Sequence, residues 1–165
     1  MMSAIARLES GFEARFGYPI DAGSNYVAEA GEMARSESEV LLPQALEAFY
    51  ANIGEVSLPD VHIGYFVHPA IAIAESEARA LPLRIQAGEI QAEIATFGSD
   101  GGGGLFAINR DSGIVYYLPG GNIEANVYKG GLDAPRVVAS GLGGFLDALL
   151  FRVETFANTG TCPDF

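Results

Sequence analysis

The chain has 165 residues, of which 49% are hydrophobic, and carries 21 acidic against nine basic side chains for a net charge of −12. That size and apolar content can form one domain with its own core, without disulfides or structural metals. The acid excess excludes the electrostatics of nucleic-acid and anionic-membrane binding, leaving either a solubility role or attraction to a basic partner.

Ile5, Leu8, Phe12 and Phe16 recur at helical spacing and predict an amphipathic helix over residues 3–16, stopped by Gly17-Tyr18-Pro19. Residues 18–41 are polar and acidic, with a weak helical signal from Tyr26 to Arg35, and are expected to form an insertion. Leu42-Pro43 opens a second helix with proline in its first turn; its stripe of Leu42, Leu46, Phe49, Tyr50 and Ile53 ends at Gly54. The β-branched and aromatic run VHIGYFV, residues 61–67, predicts a strand closed by His68-Pro69. Residues 70–81 are expected to be a short helix or turn, with strands at 83–85 and 90–97 beyond it.

Residues 97–118, FGSDGGGGLFAINRDSGIVYYL, carry apolar runs between glycine-rich turns and predict a β-hairpin. Pro119 to Asn122 reads as another turn, and residues 123–128 and 136–139 as short strands. A closing helix starts at Ser140. Its apolar positions Leu142, Phe145, Leu146, Leu149, Leu150 and Val153 keep helical spacing, and residues 156–165 are expected to be a loose tail. Helices, then strands, then a closing helix give a single α+β domain over residues 1–165.

No metal or cofactor site is expected. His62 and His68, the only histidines, would stand roughly 20 Å apart along a straight strand, and Cys162 is the sole thiol. Gly98-Ser99-Asp100-Gly101 lacks the glycine that a nucleophile elbow needs two places before its serine, because Phe97 stands there. The glycine run leads into a strand, without the Lys-Ser or Lys-Thr of a phosphate loop. Glu89 with Glu93, and Asp100 with Asp111, are acid pairs in an acid-rich chain with no partner set for acid–base work. Catalysis is therefore not expected. One cysteine, no basic-then-apolar leader and no run of ~18 apolar residues predict a soluble, cytoplasmic chain without a signal peptide or membrane span.

Three stretches resemble the SUKH superfamily, the Smi/Knr-like proteins. Leu42-Pro43 through Phe49-Tyr50 to Asn52-Ile53-Gly54 is similar to that family's Leu-Pro helix and Asn/Gly turn. Phe97 to Gly101, with Leu105 to Asn109 and Val115-Tyr116, is similar to its glycine-aspartate hairpin, and Val138-Ala139-Ser140 with Phe145-Leu146 and Leu149-Leu150 to its closing helix. The resemblance implies a SUKH-like α+β fold, with a central, mostly antiparallel sheet flanked by N- and C-terminal helices, and a non-catalytic binding role. Many bacterial members are considered immunity proteins that neutralise cognate toxins, often nucleases, while fungal relatives regulate cell-wall synthesis. A basic toxin domain is thus the expected partner, with an intracellular regulatory or scaffold domain that binds an endogenous protein as the alternative. The acids expected beside turns, Glu55, Asp60, Glu75, Glu77 and Asp100, are the candidate partner-binding residues.

Overall fold

The structure is a computed structural model that describes residues 1–31 and 42–165. Helix α1 (Met2–Phe16) buries Ala4, Ile5, Leu8 and Phe12, the stripe set by the spacing, and ends at Gly17 with φ 80°. The Gly17 amide donates to the Glu13 carbonyl, the left-handed closure that glycine permits without a Cβ clash.

Where the sequence predicts weak helix, strand β1 (Tyr26–Glu29) forms instead, because cross-strand pairing outweighs a marginal local preference. The rest of that expectation, residues 32–41, lies outside the described residues. Helix α2 (Gln44–Tyr50) buries Leu46, Phe49 and Tyr50 but stops short of the predicted Gly54. The Asn52 side-chain amide donates to the Ala48 carbonyl at 2.9 Å, and strand β2 (Ile53–Leu58) has already begun. Gly54 serves the strand, since a Cβ there would lie 2.9 Å from the Glu29 carbonyl oxygen of β1.

The strand predicted over residues 61–67 is confined to β3 (Tyr65–Val67). Residues 61–64 make a tight turn in which His62 and Gly64 have φ of 56° and 87°, and the Gly64 amide donates to the Val61 carbonyl. Helix α3 (Ala70–Ala74) follows Pro69. Strands β4 (Arg84–Ala87), β5 (Ile90–Asp100), β6 (Leu105–Asn109) and β7 (Val115–Leu118) then form the expected succession of antiparallel pairs. The single strand expected over 123–128 is two, β8 (Gly121–Glu124) and β9 (Val127–Gly131), because Ala125 and Asn126 both turn left-handed, with φ of 48° and 60°. Strand β10 (Arg136–Ala139) and helix α4 (Leu142–Thr159) complete the chain.

The ten strands among the described residues form one sheet in the order β1-β2-β3-β5-β4-β9-β8, with β6 also pairing β5, and β7 and β10 following from β6. All pairs are antiparallel except β4 with β9. This is a mixed helix-and-sheet fold, with more strand than helix. Alternation along the strands sends Val56, Leu58, Tyr65, Val67, Phe106 and Ile108 into the main core, with Ile5, Leu8 and Phe12 of α1 and Phe145, Leu149 and Val153 of α4. Phe97 and Phe106 are 0% and 1% exposed and pack on Phe145; truncating either to alanine costs about 3–5 kcal/mol. A second core of Ile85, Ala87, Ile94, Ala107, Tyr116, Leu118 and Tyr128 fills the opposite face under the β4-β9-β8 wing.

The two long helices pack together, and Arg15 of α1 ties them at one end. Its guanidinium donates to the carbonyls of Phe156, Ala157 and Asn158 at 3.0, 2.6 and 2.8 Å at the C-terminus of α4, where the Phe156 oxygen also accepts the Gly160 amide. The predicted loose tail starts later than residue 156, since α4 runs to Thr159 and buries Phe156 and Ala157. Beyond it Cys162 and Phe165 also pack against the main core. Among the described residues, no helix is long and apolar enough to cross a membrane.

Candidate functional site

Strands β1, β2, β3 and the C-terminal half of β5 bury one face against the helices and present the other. Register places Tyr26 opposite Ser57, Ala28 opposite Glu55, Ser57 opposite Phe66, and Phe66 opposite Ser99. Directly paired residues point to the same side, so Tyr26, Glu55, Ser57, Phe66 and Ser99 share this outward face. The burial alternation agrees: Val56, Leu58, Tyr65 and Val67 are buried, Glu55, Ser57 and Phe66 are half-buried, and Tyr26 is 38% exposed.

Two polar couples fix the side chains here. The Tyr26 hydroxyl donates to Glu55 Oε1 at 2.6 Å, and this bond, with burial and the carboxylate charge adding to it, raises the Tyr26 pKa. His68, just past β3, has its backbone amide bonded to the Phe97 carbonyl, while its Nε2 lies 2.8 Å from Ser99 Oγ. Burial pushes the imidazole pKa below 6.5; Arg79 pushes the same way, and Glu55 opposes both. The ring is therefore neutral near pH 7, and the Tyr50 hydroxyl holds the His68 carbonyl at 2.6 Å. A neutral histidine against a serine is a nucleophile–base couple, but among the described residues no further hydrogen bond orients the ring as a third group would.

The acids singled out in the sequence fall in different settings. Glu55 is on the open face. Asp60 caps one end of the same region, its Oδ2 accepting from Ser24 Oγ at 2.6 Å and Asn25 Nδ2 at 2.8 Å. Glu75 is exposed just after α3 and ion-paired to Arg79 at 2.6 Å, which links it to the surroundings of His68. Glu77 is exposed and lines an open hollow of about 220 Å3 with Arg84, Glu93 and Asn126.

Asp100 is 7% exposed and faces inward. Its Oδ1 accepts the amides of Gly102 and Gly104 at 2.9 and 2.7 Å, and its Oδ2 accepts the Tyr117 hydroxyl at 2.7 Å. This explains the four-glycine run. Gly103 turns left-handed at φ 87°, and a Cβ on Gly101 would strike the Ile63 carbonyl oxygen. The carboxylate organises the β5–β6 turn that closes the sheet next to residues 61–64.

The histidines do not meet. His62 is exposed in its turn, its ring 6.5 Å from that of Phe156, whereas His68 engages Ser99. Among the described residues there is no group of three or more His, Cys, Asp and Glu placed to hold a metal. Sequence reasoning missed Tyr26, Phe66 and Ser99, which converge only through strand pairing. It also missed Arg152, whose position between Leu149 and Val153 on the apolar stripe of α4 was a readable signal; the residue is 2% exposed.

Comparison of the chain with protein-family models, curated proteins and solved structures finds no match.

Proposed function

We propose that the chain is an acidic protein-binding module of SUKH type, acting inside the cell as an immunity protein that docks on and occludes a basic toxin domain. The observation that carries this reading is an open sheet face on which aromatic area and acid lie together, Tyr26 and Phe66 beside Glu55, in a chain of net charge −12. Interfaces that combine buried aromatics with surrounding charge use the first to slow release and the second to speed encounter. Asp60 borders the same region and extends its field, the charge of Glu75 is offset by its ion pair with Arg79, and the exposed Glu77 adds to the acid excess. Asp100 supports the face from inside through the glycine turn.

Support for the immunity form comes from the sequence stretches similar to SUKH proteins, which fall here on α2 with the start of β2, the β5-β6-β7 hairpins, and β10 with α4. The test begins with a basic protein captured from native cells at low salt and released at high salt, then purified. Association is then timed against the wild type and against Glu55→Lys, Glu75→Lys, Glu77→Lys combined. The triple variant should associate about tenfold more slowly and with a flatter salt dependence. Unchanged kinetics would reject the placement, and a partner without toxicity in cells lacking this chain would reject the immunity role.

A further inference from the structure

Arg152 of α4 is 2% exposed, and its Nε and Nη2 have no hydrogen-bond partner. Those two nitrogens form the side of the guanidinium that meets both oxygens of a carboxylate in parallel. Charged groups buried in proteins are nearly always paired, so an empty fork in the main core is an exception that calls for an acceptor. The Tyr65 hydroxyl acts on Arg152 through hydrogen bonding as well as charge, and the Cys162 thiol and Asp164 act through charge, while Nε and Nη2 stay without a partner. Asp164 is exposed and makes no ion pair with it among the described residues.

Phe165 covers the guanidinium, with Arg152 Cζ 3.6 Å from its ring centroid. The same ring lies in an aromatic slot, 5.7 Å from Phe145 and nearly parallel to it, 5.0 Å from Phe106 and 5.6 Å from Tyr65. Residues 161–165 that carry it have no regular secondary structure. Their hold on the core is the Phe165 ring and the Cys162 sulfur, 3.6 Å from the Tyr65 hydroxyl. A flat ring therefore already fits the slot, and the fork beside it is satisfied by nothing.

We propose that Arg152, Phe106, Phe145 and Tyr65 form a binding site for a small aromatic carboxylate, whose ring takes the slot filled by Phe165 and whose carboxylate takes the Nε/Nη2 fork. Residues 161–165 are then a competing cover. The site is on the helix-packed side of the sheet, opposite the Tyr26–Phe66 face, and is independent of the proposed protein partner.

The test titrates 3-phenylpropanoate and its neutral analogue 3-phenylpropanamide into the full chain by calorimetry, with wild type, Phe165→Ala and Arg152→Met. The carboxylate should bind Phe165→Ala about tenfold more tightly than wild type, because the cover no longer competes. The amide should bind at least about tenfold more weakly than the carboxylate, and Arg152→Met should abolish that preference. Should Arg152→Met fail to fold, the carboxylate–amide comparison in Phe165→Ala decides the matter. Equal binding of acid and amide, or no binding of the acid to Phe165→Ala, would overturn the proposal.

Discussion

His68 Nε2 and Ser99 Oγ meet at 2.8 Å across the β3–β5 pair, where the charges of Glu55 and Arg79 both reach the ring. Burial holds the imidazole neutral, with Arg79 reinforcing it. The folded pKa lies below the ordinary 6.5, so as pH falls through 6.5 the unfolded chain takes up a proton before the folded chain does. Stability contributed by the neutral ring is thus present above pH 6.5 and is lost as pH drops from there towards the folded value. Urea denaturation across this range should show a fall in stability that His68→Gln reduces, and an NMR titration of the ring should give a midpoint below 6.5. A midpoint above 6.5 would contradict the buried setting.

Asp100 makes three hydrogen bonds from a nearly sealed position. Asp100→Ala strands the amides of Gly102 and Gly104 and should cost about 3 kcal/mol, whereas Asp100→Asn, which keeps one acceptor oxygen, should cost about 1 kcal/mol. Burial and the Asp100 bond push the Tyr117 phenol up to about 12, so in Asp100→Ala its pKa should fall. Chemical denaturation and an alkaline spectrophotometric titration measure the two effects separately.

Arg15 supplies three hydrogen bonds to the last carbonyls of α4 from a different helix. Arg15→Ala should destabilise the fold by about 1–2 kcal/mol. Hydrogen exchange should locate the change: amides near Phe156 lose protection first, while those near Phe145 keep theirs. Uniform loss along α4 would mean that Arg15 does not act as its cap.

How much of this was readable depended on the strength of each local signal. Helices α1 and α4 show plainly because each buries one continuous stripe, Ile5-Leu8-Phe12 and Phe145-Leu149-Val153, at a period no strand shares. The β5-β6-β7 hairpins show because their turn residues are explicit. The start of β2 reads as the end of the preceding helix because Ile53 fits both periods, and residues 55–58 are too few to show a strand period of their own. The β8–β9 reversal uses Ala125-Asn126 without a glycine, so Asn126 alone marks it and the turn signal is weak. Acids beside turns read as projecting groups, which holds for Glu75 and Glu77 but fails for Asp100, where bare glycine amides draw the carboxylate inward. The open face was hidden because Tyr26, Phe66 and Ser99 are distant in sequence and become neighbours only through register.

The central claim is that a basic protein docks on the Tyr26–Glu55–Phe66 face. The most direct measurement replaces Phe66, and separately the exposed Phe151 of α4, with a photo-crosslinking phenylalanine and irradiates each full-length variant in native cells. The account predicts one basic protein joined through position 66, lost when Glu55 is also changed to lysine, and not joined through position 151. Crosslinks from position 151 to that same protein, with none from position 66, would contradict it.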